Sequence, residues 1–225
     1  MDNAVDIENL NFAYRPSKPV LKIAELKIAK GEKIFLHGPS GSGKTTLLGI
    51  LAGVLKAEQG QVKILGRDLA RLSGPARDAL RGSHIGYIFQ MFNLIPYLNV
   101  LENISLPCRI NRERRSRVAG ASLEDEARAL AERLGIGQIV GESVTDLSVG
   151  QQQRVAAARA LLGAPELIIA DEPTSALDED HRENFLNLLF THCGEIGSTL
   201  VFVSHDRRMM PLFDRAVSLS EINRV

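Results

Sequence analysis

Hydrophobic and polar residues follow strand-like spacing through the first part of the chain. Near the N-terminus, apolar residues recur at about every second position: Val5, Ile7, Leu10 and Phe12. This spacing is typical of a half-buried strand, and a second strand-like stretch runs from 20 to 28. A short apolar run at 33–37 (KIFLH) leads into a glycine-rich segment, after which the pattern is helical over 44–55. Gly60 then predicts a turn into a further strand, QVKIL.

The middle of the chain has a helical pattern with recognisable ends. We expect a helix over 122–135 (SLEDEARALAERLG), capped by Ser122 and stopped by Gly135 in a left-handed conformation. Asp125 occupies the position of a capping-box acid. The predicted buried stripe consists of Leu123, Ala127, Leu130 and Leu134.

The last third alternates between strands and helices. Apolar runs at 167–170 and 198–203 predict strands, and 179–193 predicts a helix between them. This alternation is typical of a parallel sheet covered by helices. We therefore expect an α/β chain in which the middle helices interrupt the sheet as a subdomain.

Composition limits the classes of function that these elements can serve. A chain of 225 residues with 44% hydrophobic content buries one substantial core. Its 27 basic and 27 acidic side chains balance, so no field of one sign draws it to nucleic acid or to an anionic membrane. Cys108 and Cys193 lack metal-ligand spacing, which favours a reduced, cytosolic setting. The start MDNAVDIENL lacks a secretory pattern, and the apolar runs fall far short of the about 20 residues that span a bilayer.

A strongly basic run, RINRERRSR, occupies 109–117. We expect a solvated helix face or loop there, as is usual for such runs. Contact with a partner or with lipid headgroups is the alternative.

The glycine-rich segment at 38–45 (GPSGSGKT) matches G-x-x-x-x-G-K-[ST] at every fixed position. Glycines let the backbone curl so that its N–H groups point at a phosphate chain. Lys44 adds a cation for the β- and γ-phosphates, and Thr45 offers a hydroxyl to Mg²⁺. The strand before the segment and the helix after it are the context that this motif requires, so the sequence predicts a nucleotide site.

A second motif places two acids at the end of a strand. Asp171 and Glu172 follow the apolar run at 167–170 and precede Pro173. Ligands of doubly wound folds bind at the carboxyl ends of the strands. We therefore expect Asp171 to reach the Mg²⁺ held by Thr45, and Glu172 to accept a proton from the water that attacks the γ-phosphate.

A third motif begins a helix at LSVGQQQR. Ser148 suits the N-cap and Gln151 completes a capping box, so a well-capped helix ending near Gly163 is one interpretation. Gly150 in the first turn lowers helix propensity and lets a ligand approach the backbone. The alternative interpretation is therefore a second anion site at a helix start.

Together these motifs resemble those of the ATP-binding cassette (ABC) family of transporter ATPases. The family signature LSGGQ stands here as LSVGQ at 147–151, with Val149 in place of the usual first glycine. The resemblance covers nearly the whole chain. It implies a P-loop NTPase (RecA-like) core with an N-terminal antiparallel β subdomain and an inserted helical subdomain.

The resemblance also implies domain boundaries and further roles. One domain spans 1–225, with the core and β subdomain at 1–90 and 155–225 and the helical subdomain at 91–154. The family's adenine-stacking aromatic corresponds to Tyr14, which lies 24 residues before the first glycine of the phosphate loop. The remaining matches are Gln90, which contacts Mg²⁺ and senses the transporter subunit, the loop 175–178, which crosses a dimer interface, and His205, which contacts the γ-phosphate.

The implied ligands are ATP and Mg²⁺. The catalytic set is Glu172, His205 and Gln90, and the metal set is Thr45, Gln90 and Asp171. The nucleotide-binding set is Tyr14, Gly38, Pro39, Ser40, Gly41, Ser42, Gly43, Lys44, Thr45, Thr46, Ser148, Gly150, Gln151 and Asp178.

The resemblance further implies two protein partners. In a head-to-tail dimer of two copies, Ser148, Gly150 and Gln151 of one chain close over the γ-phosphate held by Lys44 of the other. An integral membrane permease is the second partner, which places the chain in the cytoplasm, peripheral on the inner or plasma membrane. No nucleic-acid partner is expected.

The stretch QMFNLIPYLNVLENI at 90–104 resembles the lipoprotein-release and macrolide-export group of this family. It favours export or mechanotransmission of a lipoprotein, peptide or drug. The alternatives are an importer ATPase and, on weaker grounds, a soluble cassette acting on nucleic acid or ribosomes. Many importers continue into a regulatory domain, whereas this chain ends 20 residues after His205, and its balanced charge disfavours tight duplex binding.

Overall fold

The computed structural model describes residues 2–119, 122–175 and 177–225, without the side chain of Asp180. Within these ranges the strands are β1 (Asn3–Arg15), β2 (Lys18–Ala29), β3 (Lys33–His37), β4 (Gln59–Ile64), β5 (Arg67–Asp68), β6 (Ile85–Ile88), β7 (Leu167–Asp171), β8 (Thr199–Val203) and β9 (Arg215–Ser218). The α-helices are α1 (Lys44–Leu51), α2 (Gly74–His84), α3 (Val100–Ile110), α4 (Arg112–Ser116), α5 (Leu123–Arg133), α6 (Val149–Leu161), α7 (Glu179–Ile196) and α8 (Leu219–Ile222). None of the helices in the described ranges is long and apolar enough to cross a membrane.

The chain forms two compact units. The first runs from the N-terminus to Arg81 and includes Thr199–Val225, and the second comprises Gly82–Ser198. The second unit is therefore one continuous segment of the sequence, inserted between the two segments that form the first unit. The predicted subdomain boundaries stay a prediction.

The first unit contains an antiparallel sheet with the strand order β2-β1-β4-β5. The apolar spacing along β1 lengthens by one residue between Ile7 and Leu10, because Asn9 between them adopts a left-handed conformation (φ 51°). Pairing with β4 shifts register at the same point, between Glu8 and Asn11. Gly60 of β4 lies against this bulge, since a Cβ there would be 2.2 Å from the Asn9 carbonyl oxygen. The bulge returns the apolar side chains to the buried face.

The first unit also contains parallel strands, with β3 paired to both β8 and β9. Phe35 of β3 is fully buried, and its ring packs against those of Phe202 and Phe213 with centroids 6.2 and 5.3 Å away. Ile34 and Leu36 are also fully buried, so both faces of β3 are covered, which explains why the segment has a continuous apolar run and not an alternating one. The glycine-rich segment follows the carboxyl end of β3, where ligands of such sheets bind.

The second unit pairs β6 with β7 in parallel, with Tyr87 opposite Ile169. Helix α6 packs against β6 so closely that a Cβ on Gly86 would lie 2.3 Å from the carbonyl oxygen of Ala160. Gly86 is therefore the residue that permits this helix–strand contact. The predicted α/β class, with an antiparallel β portion and parallel strands, is confirmed.

The helix predicted at 122–135 is confirmed with its ends. Ser122 Oγ accepts from the Asp125 amide at 3.1 Å, and Gly135 is left-handed (φ 70°). All four residues of the predicted apolar stripe are buried. The helix predicted over 44–55 ends earlier, at Leu51, because Gly53 adopts a left-handed conformation (φ 68°) that stops it.

The expectation of a solvated basic run at 109–117 is wrong for one of its arginines. Arg114 is buried, and its guanidinium donates to the carbonyl oxygens of Leu162, Ile85 and Ala160. Its partners lie far away in sequence, so no local pattern could indicate this role. Arg117 likewise donates to main-chain carbonyls, whereas Arg109, Arg112 and Arg115 are exposed as predicted.

Candidate nucleotide-binding and hydrolysis site

The phosphate-loop segment at 38–45 curls as its glycines predict. Gly41 and Gly43 have positive φ angles of 79° and 97°, which a side chain would strain. There is also no room for a side chain at Gly43, since a Cβ there would lie 2.7 Å from Leu21 Cδ2. These two positions explain why the loop is built from glycine.

The loop fits a bound phosphate. Gly43 is the N-cap of α1 and supplies no side-chain cap, so the helix start keeps amide donors for an anion. Ser42 Oγ is shielded from solvent and has no hydrogen-bond partner among the described residues. A phosphate oxygen would supply the hydrogen-bond acceptor that the amides of α1 and the Ser42 hydroxyl lack.

Lys44 folds over the loop. Its ammonium donates to the carbonyl oxygens of Gly38 at 2.8 Å and Pro39 at 3.0 Å. These contacts hold the cation beside the loop amides, where a phosphate chain would need it. Thr45 is exposed, and Thr46 is buried at the base of the helix.

Two further candidates lie in the same unit. Tyr14 is 63% exposed, packs edge-on against Phe12, and its hydroxyl lies 3.3 Å from Thr46 Oγ1. The antiparallel sheet therefore brings an exposed aromatic ring to the phosphate loop. His205 is exposed just beyond β8, and the Ser204 amide donates to the Leu36 carbonyl of β3, so this turn lies beside the strand that leads into the loop.

The second unit holds the paired acids. Asp171 is the last residue of β7, and Glu172 next to it has a left-handed backbone (φ 45°). The Tyr87 hydroxyl is hydrogen-bonded to the Asp171 carboxylate. Burial raises the pKa of Tyr87 well above its ordinary value, and the Asp171 charge acts in the same direction. Tyr87 therefore stays a neutral donor that orients Asp171.

Sequence reasoning missed Tyr87. The available signal was its place in the buried strand β6, because a buried tyrosine hydroxyl normally has a partner. The identity of that partner depends on the pairing of β6 with β7, which the sequence did not specify.

The helix start at 148–151 has the predicted capping box. Ser148 Oγ accepts from the Gln151 amide at 3.4 Å, and Gln151 Oε1 accepts from the Ser148 amide at 2.8 Å. Ser148 and Val149 are exposed, and among the described residues outside its own helix the nearest atom to a Cβ on Gly150 is Leu177 Cδ2, at 3.9 Å. The start of α6 therefore presents an open surface that a ligand can approach.

Asp178 and Gln90 complete the set in the second unit. Asp178 caps α7 by accepting from the His181 amide at 3.0 Å, and this bond, with a further one to the imidazole ring, lowers the pKa of its exposed carboxyl. Gln90 is exposed in the turn after β6. The predicted loop 175–178 includes Ala176, which lies outside the described residues.

The two units thus divide the predicted site. The first unit contains Tyr14, the loop Gly38 to Thr46, and His205. The second unit contains Gln90, Ser148, Gly150, Gln151, Asp171, Glu172 and Asp178.

Comparison with known proteins identifies the family. The family model described as "ABC transporter" matches residues 21–175. The chain belongs to the ABC transporter family. Two structures of the ATP-binding cassette MJ0796, both described as dimeric, have this fold. The post-hydrolysis one, bound to ADP and Pi, gives a TM-score of 0.82 at 37% identity over 95% of this chain and 93% of that one.

Full-length relatives agree with this assignment. The ABC transporter ATP-binding protein YbbA of Escherichia coli (strain K12) is 40% identical over 97% of this chain and 95% of its own length. The lipoprotein-releasing system ATP-binding protein LolD of Hydrogenovibrio crunogenus is 36% identical over 98% of this chain and 95% of that protein. The resemblance to ABC transporter ATPases and the predicted P-loop NTPase fold are confirmed, and the chain is an ABC ATPase.

Proposed function

We propose that this ABC ATPase drives a separate membrane permease of the lipoprotein-release and macrolide-export type. The observation that carries the proposal is the similarity to LolD along nearly the full length of both chains. The phosphate loop, the paired acids and the open helix start supply the chemistry that such a motor needs.

ATP binds at the phosphate loop. The amides at the start of α1 and the Ser42 hydroxyl donate to phosphate oxygens, and the Lys44 ammonium leaves the loop carbonyls to neutralise the β- and γ-phosphates. The Tyr14 ring stacks on adenine, which its exposure permits. Mg²⁺ would be held by Thr45, Gln90 and Asp171, and when bound it neutralises phosphate charge.

Glu172 is the general base of hydrolysis. Its carboxylate takes a proton from water as the water oxygen bonds to the γ-phosphorus and the bond to the β-phosphate oxygen breaks, which leaves ADP and inorganic phosphate. His205 donates to the γ-phosphate. Tyr87 keeps Asp171 oriented by its hydrogen bond, so the two adjacent carboxylates serve different tasks.

A second copy of the chain completes each site. Ser148, Gly150 and Gln151 of one copy close over the γ-phosphate at the loop of the other, and Asp178 lies on the loop at their interface. The surface at the start of α6 is open for this contact. ATP binding closes the dimer and hydrolysis opens it, and the permease converts that cycle into export or mechanotransmission at the cytoplasmic face of the membrane.

Purification from detergent-solubilised membranes of a host that makes the protein naturally tests this proposal. We expect recovery together with an integral membrane permease. Reconstitution with that permease in nanodiscs should raise ATP turnover. Recovery with ribosomes or DNA and no membrane protein would contradict the proposal.

A further inference from the structure

Helix α6 contains a buried arginine that donates hydrogen bonds to the main chain of a turn distant in sequence. Arg159 is 9% exposed, and burial lowers its pKa. Its guanidinium donates from Nη2 to the Phe92 carbonyl at 2.6 Å and from Nη1 to the Asn93 carbonyl at 2.7 Å. A rigid fork that donates to two consecutive carbonyls fixes the position and the orientation of that backbone.

The backbone that Arg159 holds is strained. Phe92 and Asn93 both have left-handed φ angles, 57° and 48°. Asparagine tolerates this conformation, whereas phenylalanine rarely adopts it. Such residues persist when the surrounding structure fixes them, and they concentrate at functional sites. Gln90 lies in the same turn, two residues before Phe92.

The strand before this turn is tied to the same helix. Gly86 of β6 lies against the Ala160 carbonyl of α6 without room for a side chain. Arg114 joins the Ile85 carbonyl, at the start of β6, to the carbonyls of Ala160 and Leu162 at the end of α6. Helix α6 is therefore attached to the chain both before and after Gln90.

We propose that Arg159 is a positioning residue that couples the Gln90 turn to α6, so that the turn and the helix move as one body. Because Ser148 caps the other end of the same helix, a displacement of Gln90 is transmitted to the signature surface. The functional consequence rests on the proposed role of Gln90 at Mg²⁺ and the permease.

A tryptophan reporter tests the coupling directly. The sequence has no tryptophan, and Met91 is 80% exposed beside Gln90, so Met91→Trp introduces a single fluorophore in the turn. In the Arg159→Lys background, which keeps the charge and loses the fork, we expect tryptophan anisotropy to fall and acrylamide quenching to rise about twofold. Arg154→Lys is the control, since it makes the same change in the same helix at an arginine that donates to the Leu134 carbonyl and not to the Gln90 turn. It should leave the fluorescence unchanged.

ATPase kinetics of the full-length protein, with Mg²⁺ in excess, supply the functional measurement. Arg159→Lys should lower kcat about tenfold, because a misplaced Gln90 acts on the chemical step. It should leave the KM for ATP within about twofold, because the phosphate loop keeps its contacts. Gln90→Ala is measured in parallel. If it keeps the wild-type kcat, the proposed role of Gln90 is wrong, and the fluorescence alone then decides the coupling.

A second variant guards against a folding defect. Asn93→Gly leaves Arg159 in place but gives residue 93 more accessible backbone conformations. It should therefore show a smaller fall in tryptophan anisotropy and a smaller rise in acrylamide quenching than Arg159→Lys. Unchanged tryptophan anisotropy in both Arg159→Lys and Asn93→Gly would overturn the proposal. Activity that falls only in proportion to the folded fraction, alike in Arg159→Lys and Arg154→Lys, would also overturn it.

Discussion

At the residue scale, two adjacent carboxylates differ in backbone conformation. Asp171 ends a regular strand and hydrogen-bonds to Tyr87, while Glu172 has a left-handed φ of 45°. A glutamate in this conformation is uncommon and carries strain. This strain supports the proposed role of Glu172, in which its side chain leaves the strand direction to reach a water molecule.

Glu172→Gln should leave ATP binding intact and lower turnover by roughly 10²–10⁴-fold, because the amide keeps the shape but cannot accept the proton. Steady-state phosphate release and nucleotide binding measure the two effects separately. Glu58→Gln, the same change at an exposed site, is the control and should leave both phosphate release and nucleotide binding unchanged. Turnover within threefold of wild type would remove Glu172 from the role of base.

Tyr14→Ala should weaken ATP binding by about 1–3 kcal/mol if the ring stacks on adenine, and Tyr14→Phe should bind nearly as wild type. The phenylalanine variant also removes the hydroxyl contact with Thr46, so it separates stacking from that hydrogen bond. Titration with a fluorescent ATP analogue measures both variants, and Tyr97→Ala, at another exposed tyrosine, is the control. Equal affinities for the alanine and phenylalanine variants would exclude stacking.

At the element scale, the spacing of apolar residues predicted several of the strands and helices, such as β1, β7 and α5, but not where they are irregular. The longer step between Ile7 and Leu10 marks the bulge at Asn9, which lies against Gly60 of another strand, a contact that the spacing does not indicate. Arg114 and Arg159 were not predicted as buried residues, because their carbonyl partners are distant in sequence. Local motifs, such as the phosphate loop and the capping box at Ser148, were predictable because their hydrogen bonds lie within a few residues.

Gly60→Ala tests the bulge. Gly60 and Gly66 both have positive φ angles, 90° and 76°, but only Gly60 has a neighbour that an added Cβ would strike. Gly66→Ala should therefore lower the free energy of unfolding by about 1–2 kcal/mol from backbone strain alone. Gly60→Ala should cost about 1–3 kcal/mol more, the usual penalty of overpacking. Equal urea midpoints for the two variants would show that the contact with Asn9 does not constrain the sheet.

At the scale of the whole molecule, the residues predicted to bind and hydrolyse the nucleotide are divided between two units. The unit with the phosphate loop has the amides and the lysine, and the other has the acids and the signature helix. The phosphate loop, the paired acids and the signature helix were recognisable as local motifs, whereas Tyr14, Gln90 and His205 were assigned only through the family resemblance, and all these roles stay predictions. In the proposed mechanism the acids act on the nucleotide of their own chain, whereas the signature helix acts on the nucleotide of a second copy, which a single sequence indicates only through its family.

Mixing two inactive variants tests that shared site most directly. Lys44→Ala removes the phosphate cation from one copy, and Gly150→Glu blocks the signature surface of the other, where a Cβ would lie 3.9 Å from the nearest described atom outside its own helix. Each variant alone should be inactive. An equimolar mixture should recover up to about a quarter of wild-type activity, because half of the dimers are mixed and each has one intact composite site of two. Wild-type turnover by Gly150→Glu alone, or a mixture no more active than its parts, would contradict the account.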